Sequence, residues 1–350
     1  MQKRWMTFVL LVSLMTLLVA CNDAEEATND SKKETSNDVL SIYTTVYPLT
    51  YFTEQIGGDA VDVQSIYPPG TDEHAFDPTQ KEMMALAQAD ALFYIGLGLE
   101  GFVDKAKQTL KDESITFVPL GETIKEEDLH EGHAHDHDDH DAHEHSEEEE
   151  HDAHAHDEDE HDAHEEDAHD HDGHDHGDFD PHVWISPALS AQLAYAIKEQ
   201  LIEQRPEQKE QFENNYEQLS AQLAELDENF KKMADEVPND TFFVSHAAFG
   251  YIADRYGLEQ MSVAGLNSQN EPSQKQLAEL VKQAKEQNIQ YVLFEQNVSS
   301  KLTEVVQKEI GAQSLTLHNL GVLTEEDIAN NEDYFTLMER NIDVLREALQ

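Results

Sequence analysis

The chain has 350 residues, with 74 Asp+Glu against 22 Lys+Arg and a formal charge of −52. So acidic a balance excludes a nucleic-acid binder, which needs a basic surface, and excludes docking on anionic lipid through basic charge. The one cysteine, Cys21, excludes an internal disulfide and a cysteine-based zinc knuckle.

The chain opens with Lys3-Arg4 and an apolar run from Trp5 to Ala20. That run is short for a membrane span and reads as a secretory signal over residues 1–20. It ends in Leu18-Val19-Ala20-Cys21, followed by the polar Asn22-Asp23-Ala24-Glu25-Glu26. This stretch resembles a bacterial lipobox, which implies that Cys21 is the lipidated first residue of an exported chain, anchored at the outer face of the cell membrane. Residues 21–38 have no apolar period and read as a flexible tether.

An N-terminal lobe is expected over residues 39–125. Its predicted elements are strands over 39–46, 61–67, 91–95 and 115–119, with helices to 55 and over 79–89 and 99–111. Residues 179–205 are read as the end of this lobe. Next, Phe212, Tyr216, Leu219, Leu223, Leu226, Phe230 and Met233 form one apolar stripe at spacings of three and four. That stripe predicts a long linking helix over 206–237, opened by Pro206. A coiled coil is the competing reading, but about four heptads joining two α/β blocks favours a strut packed along both. Such a strut predicts small lobe tilts on ligand release instead of wide hinge closure.

The C-terminal lobe, residues 238–350, repeats the alternation. Strands are predicted over 241–245, 258–263, 291–294 and 314–317, with helices to 256, over 273–287 and 300–310, and from 332. The fold class is therefore α/β: two Rossmann-like lobes with parallel sheets, joined by a long rigid helix, with a metal site in the cleft. Gly96-Leu97-Gly98 lacks the rest of a dinucleotide fingerprint and carries no weight.

Between the predicted elements lies an unusual tract. Residues 126–180 hold 27 acidic residues, no Lys or Arg, and 16 of the 20 histidines. These are His130, His133, His135, His137, His140, His143, His145, His151, His154, His156, His161, His164, His169, His171, His174 and His176. So acidic a segment buries no core, and residues 126–178 are expected to be a disordered metal-binding loop. Plain disorder favours Glu, Ser and Lys over histidine. Imidazoles bind metal near neutral pH and carboxylates concentrate cations, so the tract reads as a weak, multi-site zinc collector that fails below about pH 6.

Four histidines remain: His74, His182, His246 and His318. Three lie in or beside loops at strand ends, where open α/β sheets place ligands. His74 follows the second strand, His182 leads out of the tract, and His246 ends the first strand of the second lobe. Glu295 ends a strand of the same lobe. Three imidazoles and one carboxylate suit tetrahedral Zn²⁺, whereas manganese favours more carboxylate and water. The four are far apart in the chain, so spacing carries little weight, and each histidine taken singly reads as structural. His318 keeps that structural reading.

Four stretches carry a resemblance: Thr44-Thr45-Val46-Tyr47-Pro48-Leu49, Gly70-Thr71-Asp72-Glu73-His74-Ala75-Phe76-Asp77-Pro78, Asp180-Pro181-His182-Val183-Trp184-Ile185-Ser186-Pro187 and Ser245-His246-Ala247-Ala248-Phe249-Gly250-Tyr251. The sequence resembles the metal-binding lipoproteins of bacterial zinc and manganese ABC transporters, zinc type, over essentially residues 40–350. The histidine-rich acidic insertion is itself a mark of zinc-type members. The resemblance implies that His74, His182 and His246 are metal ligands, with Glu295 as fourth donor and Glu73 in reserve. Manganese-type relatives carry an acidic residue where His246 stands. It further implies Phe76 packing over the metal; with the sequence ending at 350, the added C-terminal zinc-binding domain that some relatives carry is not expected.

The function expected is a non-enzymatic receptor that captures Zn²⁺ outside the cytoplasm and delivers it to an ABC permease and its ATPase. A monomer is expected. The alternatives are the same fold serving manganese or iron, a zinc hydrolase, and a metal store or adhesin. Against the hydrolase stands the lack of a His-Glu-x-x-His helix and of a nucleophile elbow.

Overall fold

The structure, a computed structural model, describes residues 39–131, 179–297 and 300–350. The signal, Cys21, the tether and all tract histidines except His130 lie outside the described residues.

The first sheet has four parallel strands, β1 (Leu40–Thr44), β2 (Val61–Ser65), β3 (Ala91–Tyr94) and β4 (Thr116–Pro119), in the order β2-β1-β3-β4. Parallel neighbours need crossovers. These contain α1 (Tyr47–Gly57), α2 (Gln80–Leu86) and α3 (Val103–Thr109). Helix α1 takes Pro48 in its first turn, and α2 opens on a capping box between Thr79 and Glu82.

The second sheet repeats the design with β5 (Thr241–His246), β6 (Glu259–Ala264), β7 (Tyr291–Phe294) and β8 (Gln313–Thr316), all parallel, in the order β6-β5-β7-β8. Its crossovers carry α6 (Gly250–Tyr256), α7 (Gln274–Glu286) and α8 (Lys301–Ile310). In each sheet the strand order reverses beside the first strand. That point opens a crevice at the carboxyl ends of β1 and β3, and of β5 and β7.

Two long helices lie between the sheets in the chain. Helix α4 (Pro187–Gln204) starts at the Ser186 cap, and α5 (Lys209–Glu236) follows a short 3-10 turn at Pro206–Gln208. The expected stripe is the buried face of α5: Phe212, Leu219, Leu223, Leu226, Phe230 and Met233 are all buried, and Tyr216 is half-buried. The helix packs against α1 and α4 on one side of the molecule and against α6 and α10 (Tyr334–Ala348) on the other. The stripe is thus used up within the chain, as a strut would be and a coiled-coil seam would not. Polar ties reinforce it. Asp227 takes a two-pronged ion pair from Arg255 and a 2.7 Å hydrogen bond from the Tyr256 hydroxyl.

One continuous core runs through both lobes, and a smaller cluster (Phe243, Met261, Val263, Ala284, Val292, Val306) is confined to the second sheet. Helix α10 contributes to the shared core. Its Tyr334 ring packs edge-on against Phe52 of α1 at 4.9 Å, and its hydroxyl reaches Ser190 of α4. A short α9 (Glu325–Asn330) precedes it. No described helix is long and apolar enough to cross a membrane.

Candidate metal centre

His246 is the last residue of β5, at the crevice of the second sheet, and is fully buried. His74 lies in the loop after β2. Asp72 Oδ1 accepts its backbone N–H at 3.0 Å. His182 precedes the 3-10 turn Val183–Ile185, and Asp180 Oδ1 accepts its backbone N–H at 2.9 Å. Both loops therefore use an aspartate two residues ahead of the histidine to close a tight local turn.

The three imidazoles converge. His74 Nε2 lies 3.2 Å from His182 Nε2, and His246 Nε2 lies 3.3 Å from it. One ligand atom from each residue falls within 4.8 Å of the others, and this is the one such group of ligating side chains among the described residues. A tetrahedron with Zn–N bonds of about 2.0–2.1 Å has edges of about 3.3–3.4 Å. Two of the three nitrogen pairs are spaced as zinc would hold them.

The opposite ring nitrogens explain the orientation. His182 Nδ1 lies 2.7 Å from Asp180 Oδ1, and His246 Nδ1 lies 2.5 Å from Glu295 Oε1. A carboxylate on Nδ1 holds the proton there and leaves the Nε2 lone pair for a metal. Burial pulls the His246 imidazolium down, but the charge and hydrogen bond of Glu295 outweigh it and raise the pKa above 6.5. Burial pushes Glu295 up, and His246, then Ser245 and Asn319, outweigh it and hold the carboxyl below the ordinary value.

Glu295 thus bonds the Nδ1 edge of His246 and lies outside the three-histidine group. The reason is charge. A dry carboxylate beside a dry imidazole takes its proton-bearing nitrogen as partner. Glu73, the reserve, is also outside the group. Its Oε1 accepts from Asn319 at 3.0 Å, while Oε2 is buried with no hydrogen-bond partner. Burial pushes this carboxyl up to about 7. Phe76 packs edge-on against Tyr67 and Phe102, within the first lobe. His318 is structural, bonded to Asp327 through Nε2 and accepting Leu320 N–H at Nδ1.

The two crevices differ. That of the second sheet supplies His246 and Glu295. That of the first is filled by its own carboxylate, Glu100, which accepts from the Thr45 hydroxyl and from the N–H groups of Ile95 and Gly96. Burial still raises Glu100 to about 7. The first lobe therefore offers metal ligands only from flanking loops.

The tract is closed at its root. Glu131 and Phe179 form an antiparallel bridge, and Asp180 N–H donates to His130 O at 2.9 Å. The Tyr251 hydroxyl accepts from His130 N–H and donates to Asp180 O, and the His130 ring stacks on Tyr251 at 4.2 Å. His130 Nε2 faces Asp254 at 3.4 Å and is not among the converging imidazoles. The sequence reading missed the parts played by Asp72, Asp180, Ser245 and Asn319. An Asp-x-His signal stood in both loops for the first two.

Two α/β lobes with a buried three-histidine site between them define a metal-ion receptor of the solute-binding class. A family model described as the periplasmic component A of the zinc-uptake complex, ZnuA, matches residues 42–348. The chain belongs to this family. It is 33% identical over 350 residues to the high-affinity zinc uptake system protein ZnuA of Bacillus subtilis, covering 100% of this chain and 99% of that relative. It is 34% identical over 351 residues to the zinc-binding lipoprotein AdcA of Streptococcus pneumoniae, covering 97% of this chain and 60% of AdcA. The crystal structure of the Zn(II)-bound ZnuA-like domain of that AdcA superposes with a TM-score of 0.66 at 29% identity, covering 89% of this chain and 99% of the domain.

Proposed function

We propose that the protein captures Zn²⁺ outside the cytoplasm through His74, His182 and His246 and passes it to an ABC permease with its ATPase. It is a receptor, not an enzyme. The observation that carries this reading is the convergence of three buried or half-buried imidazoles, with His182 Nε2 at 3.2 and 3.3 Å from the other two and a carboxylate behind two of the rings. Imidazole donors favour zinc over manganese.

Glu295 is the fourth donor in this reading. Its carboxyl is held below the ordinary value while that of Glu73 is pushed up to about 7, and a dry Zn²⁺ among neutral imidazoles needs a negative charge. Glu73 stays in reserve. The chain is a monomer tethered by lipid on Cys21, and the tract gathers zinc weakly beside the tight site. Release proceeds by small lobe movements, because α5 braces both lobes.

The test is calorimetric titration with zinc, with manganese as competitor, on the parent, Glu295→Gln and Glu73→Gln. Tight zinc binding that manganese does not displace, and a larger loss in Glu295→Gln than in Glu73→Gln, supports the reading. Displacement by equimolar manganese overturns the metal. The reverse order of losses moves the fourth position to Glu73.

A further inference from the structure

The three histidines come from three separate segments of two lobes, so something must hold those segments in register. Their neighbours converge on one residue outside the three-histidine group, Asn319. Asn319 follows β8, is fully buried, and uses every polar atom of its side chain. Its Nδ2 carries two hydrogens. One goes to Glu295 Oε2 at 2.9 Å and the other to Glu73 Oε1 at 3.0 Å. Glu295 holds the His246 ring, and Glu73 is the residue before His74. The Asn319 backbone carbonyl accepts from Trp184 Nε1 at 2.8 Å, and the Trp184 ring lies 5.3 Å from the His182 ring.

The amide can point only one way. Its Oδ1 accepts from Gln296 Nε2 at 2.9 Å and from Gly321 N–H at 3.0 Å. Flipped, it would set NH₂ against two donors and oxygen against two carboxylates. Gly321 lets the carboxylate of the first lobe reach across. A Cβ there would sit 2.5 Å from Glu73 Oε1. The same segment is stitched to the first lobe by Tyr47 N–H to Gly321 O and Gly70 N–H to Leu323 O, both at 2.9 Å.

We infer that Asn319 is the positioning residue of the zinc site, registering His74 and His182 of the first lobe against His246 of the second through Glu73, Trp184 and Glu295. The inference rests on the reading of those three histidines as ligands. It assigns to one uncharged side chain the task of holding two buried carboxylates apart while Glu295 stays on the His246 ring.

The experiment compares full-length parent, Asn319→Asp, Asn319→Ala, His246→Ala and Leu223→Ala. Zinc affinity is read by competition with a tight chelator, geometry by the visible absorption of the Co²⁺-loaded protein, and folding by thermal unfolding. Asn319→Asp keeps the shape but sets an acceptor between two carboxylates. Both Asn319 variants are expected to bind zinc about 10–100-fold more weakly, with a changed Co²⁺ spectrum. Leu223→Ala, buried in α5, loses stability but keeps both affinity and spectrum. If Asn319→Ala fails to fold, the isosteric Asn319→Asp alone carries the test. Asn319 variants that keep the parental spectrum and bind within about threefold of the parent, while His246→Ala loses zinc, overturn this inference and leave the receptor reading intact. Parental binding by His246→Ala overturns both.

Discussion

Replacing Asp180 isolates what the carboxylate behind His182 contributes. Its Oδ1 accepts from both the backbone N–H and the Nδ1 of His182, at 2.9 and 2.7 Å, and the side chain is 4% exposed. The bond fixes the tautomer, so that Nε2 keeps a lone pair towards His74 and His246. Alanine removes the acceptor and lets the ring turn or protonate at the wrong nitrogen. Loss of such an outer partner weakens metal binding by about 10–100-fold, or about 1.4–2.7 kcal/mol. Asparagine retains an oxygen for Nδ1–H but not the charge, and belongs near the low end of that range, about 10-fold. The assay is chelator competition at fixed pH and salt. Both variants binding within about threefold of the parent would refute the claim that His182 is oriented through Nδ1 to ligate through Nε2.

Metal-free protein should lose thermal stability as pH rises from about 4.5 through about 7. His246 is raised above 6.5, so its contribution is complete below that value and is lost as pH rises through its folded pKa. Glu73 and Glu100, raised from 4.5 to about 7, act with the same sign, and Glu73→Gln should flatten the decline; a rising profile would contradict these assignments. Glu295, held low, works oppositely: its contribution is present above 4.5 and is lost only as pH falls through its lowered pKa. Leu223→Ala, at a site 1% exposed, should cost about 2–5 kcal/mol in denaturant unfolding with zinc affinity unchanged. Joining 131 to 179 by a short turn should lower zinc stoichiometry but keep the tight site, because the root is already bridged there; unchanged stoichiometry would remove the collector role.

The lobes were legible because buried parallel strands and amphipathic crossover helices have distinct periods, and the stripe on α5 spans almost its whole length. Helix α4 was not resolved within residues 179–205. Ser190, Ala194 and Ala196 sit among its buried positions and dilute the apolar period, although Ser186-Pro187 is a good start signal. Helix α9 has six residues, too few for a period, and only its Thr324–Asp327 capping box marks it. At the site, His74, His182 and His246 stood out because histidine is scarce outside the tract and all three lie at strand ends or motif loops. Glu295 was placed by the same strand-end logic, which gives a position but not which side of the His246 ring the carboxylate meets. Asn319 had no local signal. Its role exists only once residues far apart in the chain, Glu73, Trp184 and Glu295, meet.

The central claim is that the three-histidine group is the tight zinc site. It is tested most directly by metal content and zinc affinity of tract-deleted protein, with and without His246→Ala. The account predicts one tightly held zinc in the tract-deleted parent and loss of most of that affinity in the variant. Equal binding by the two would contradict it and send the search for the zinc site back to the tract.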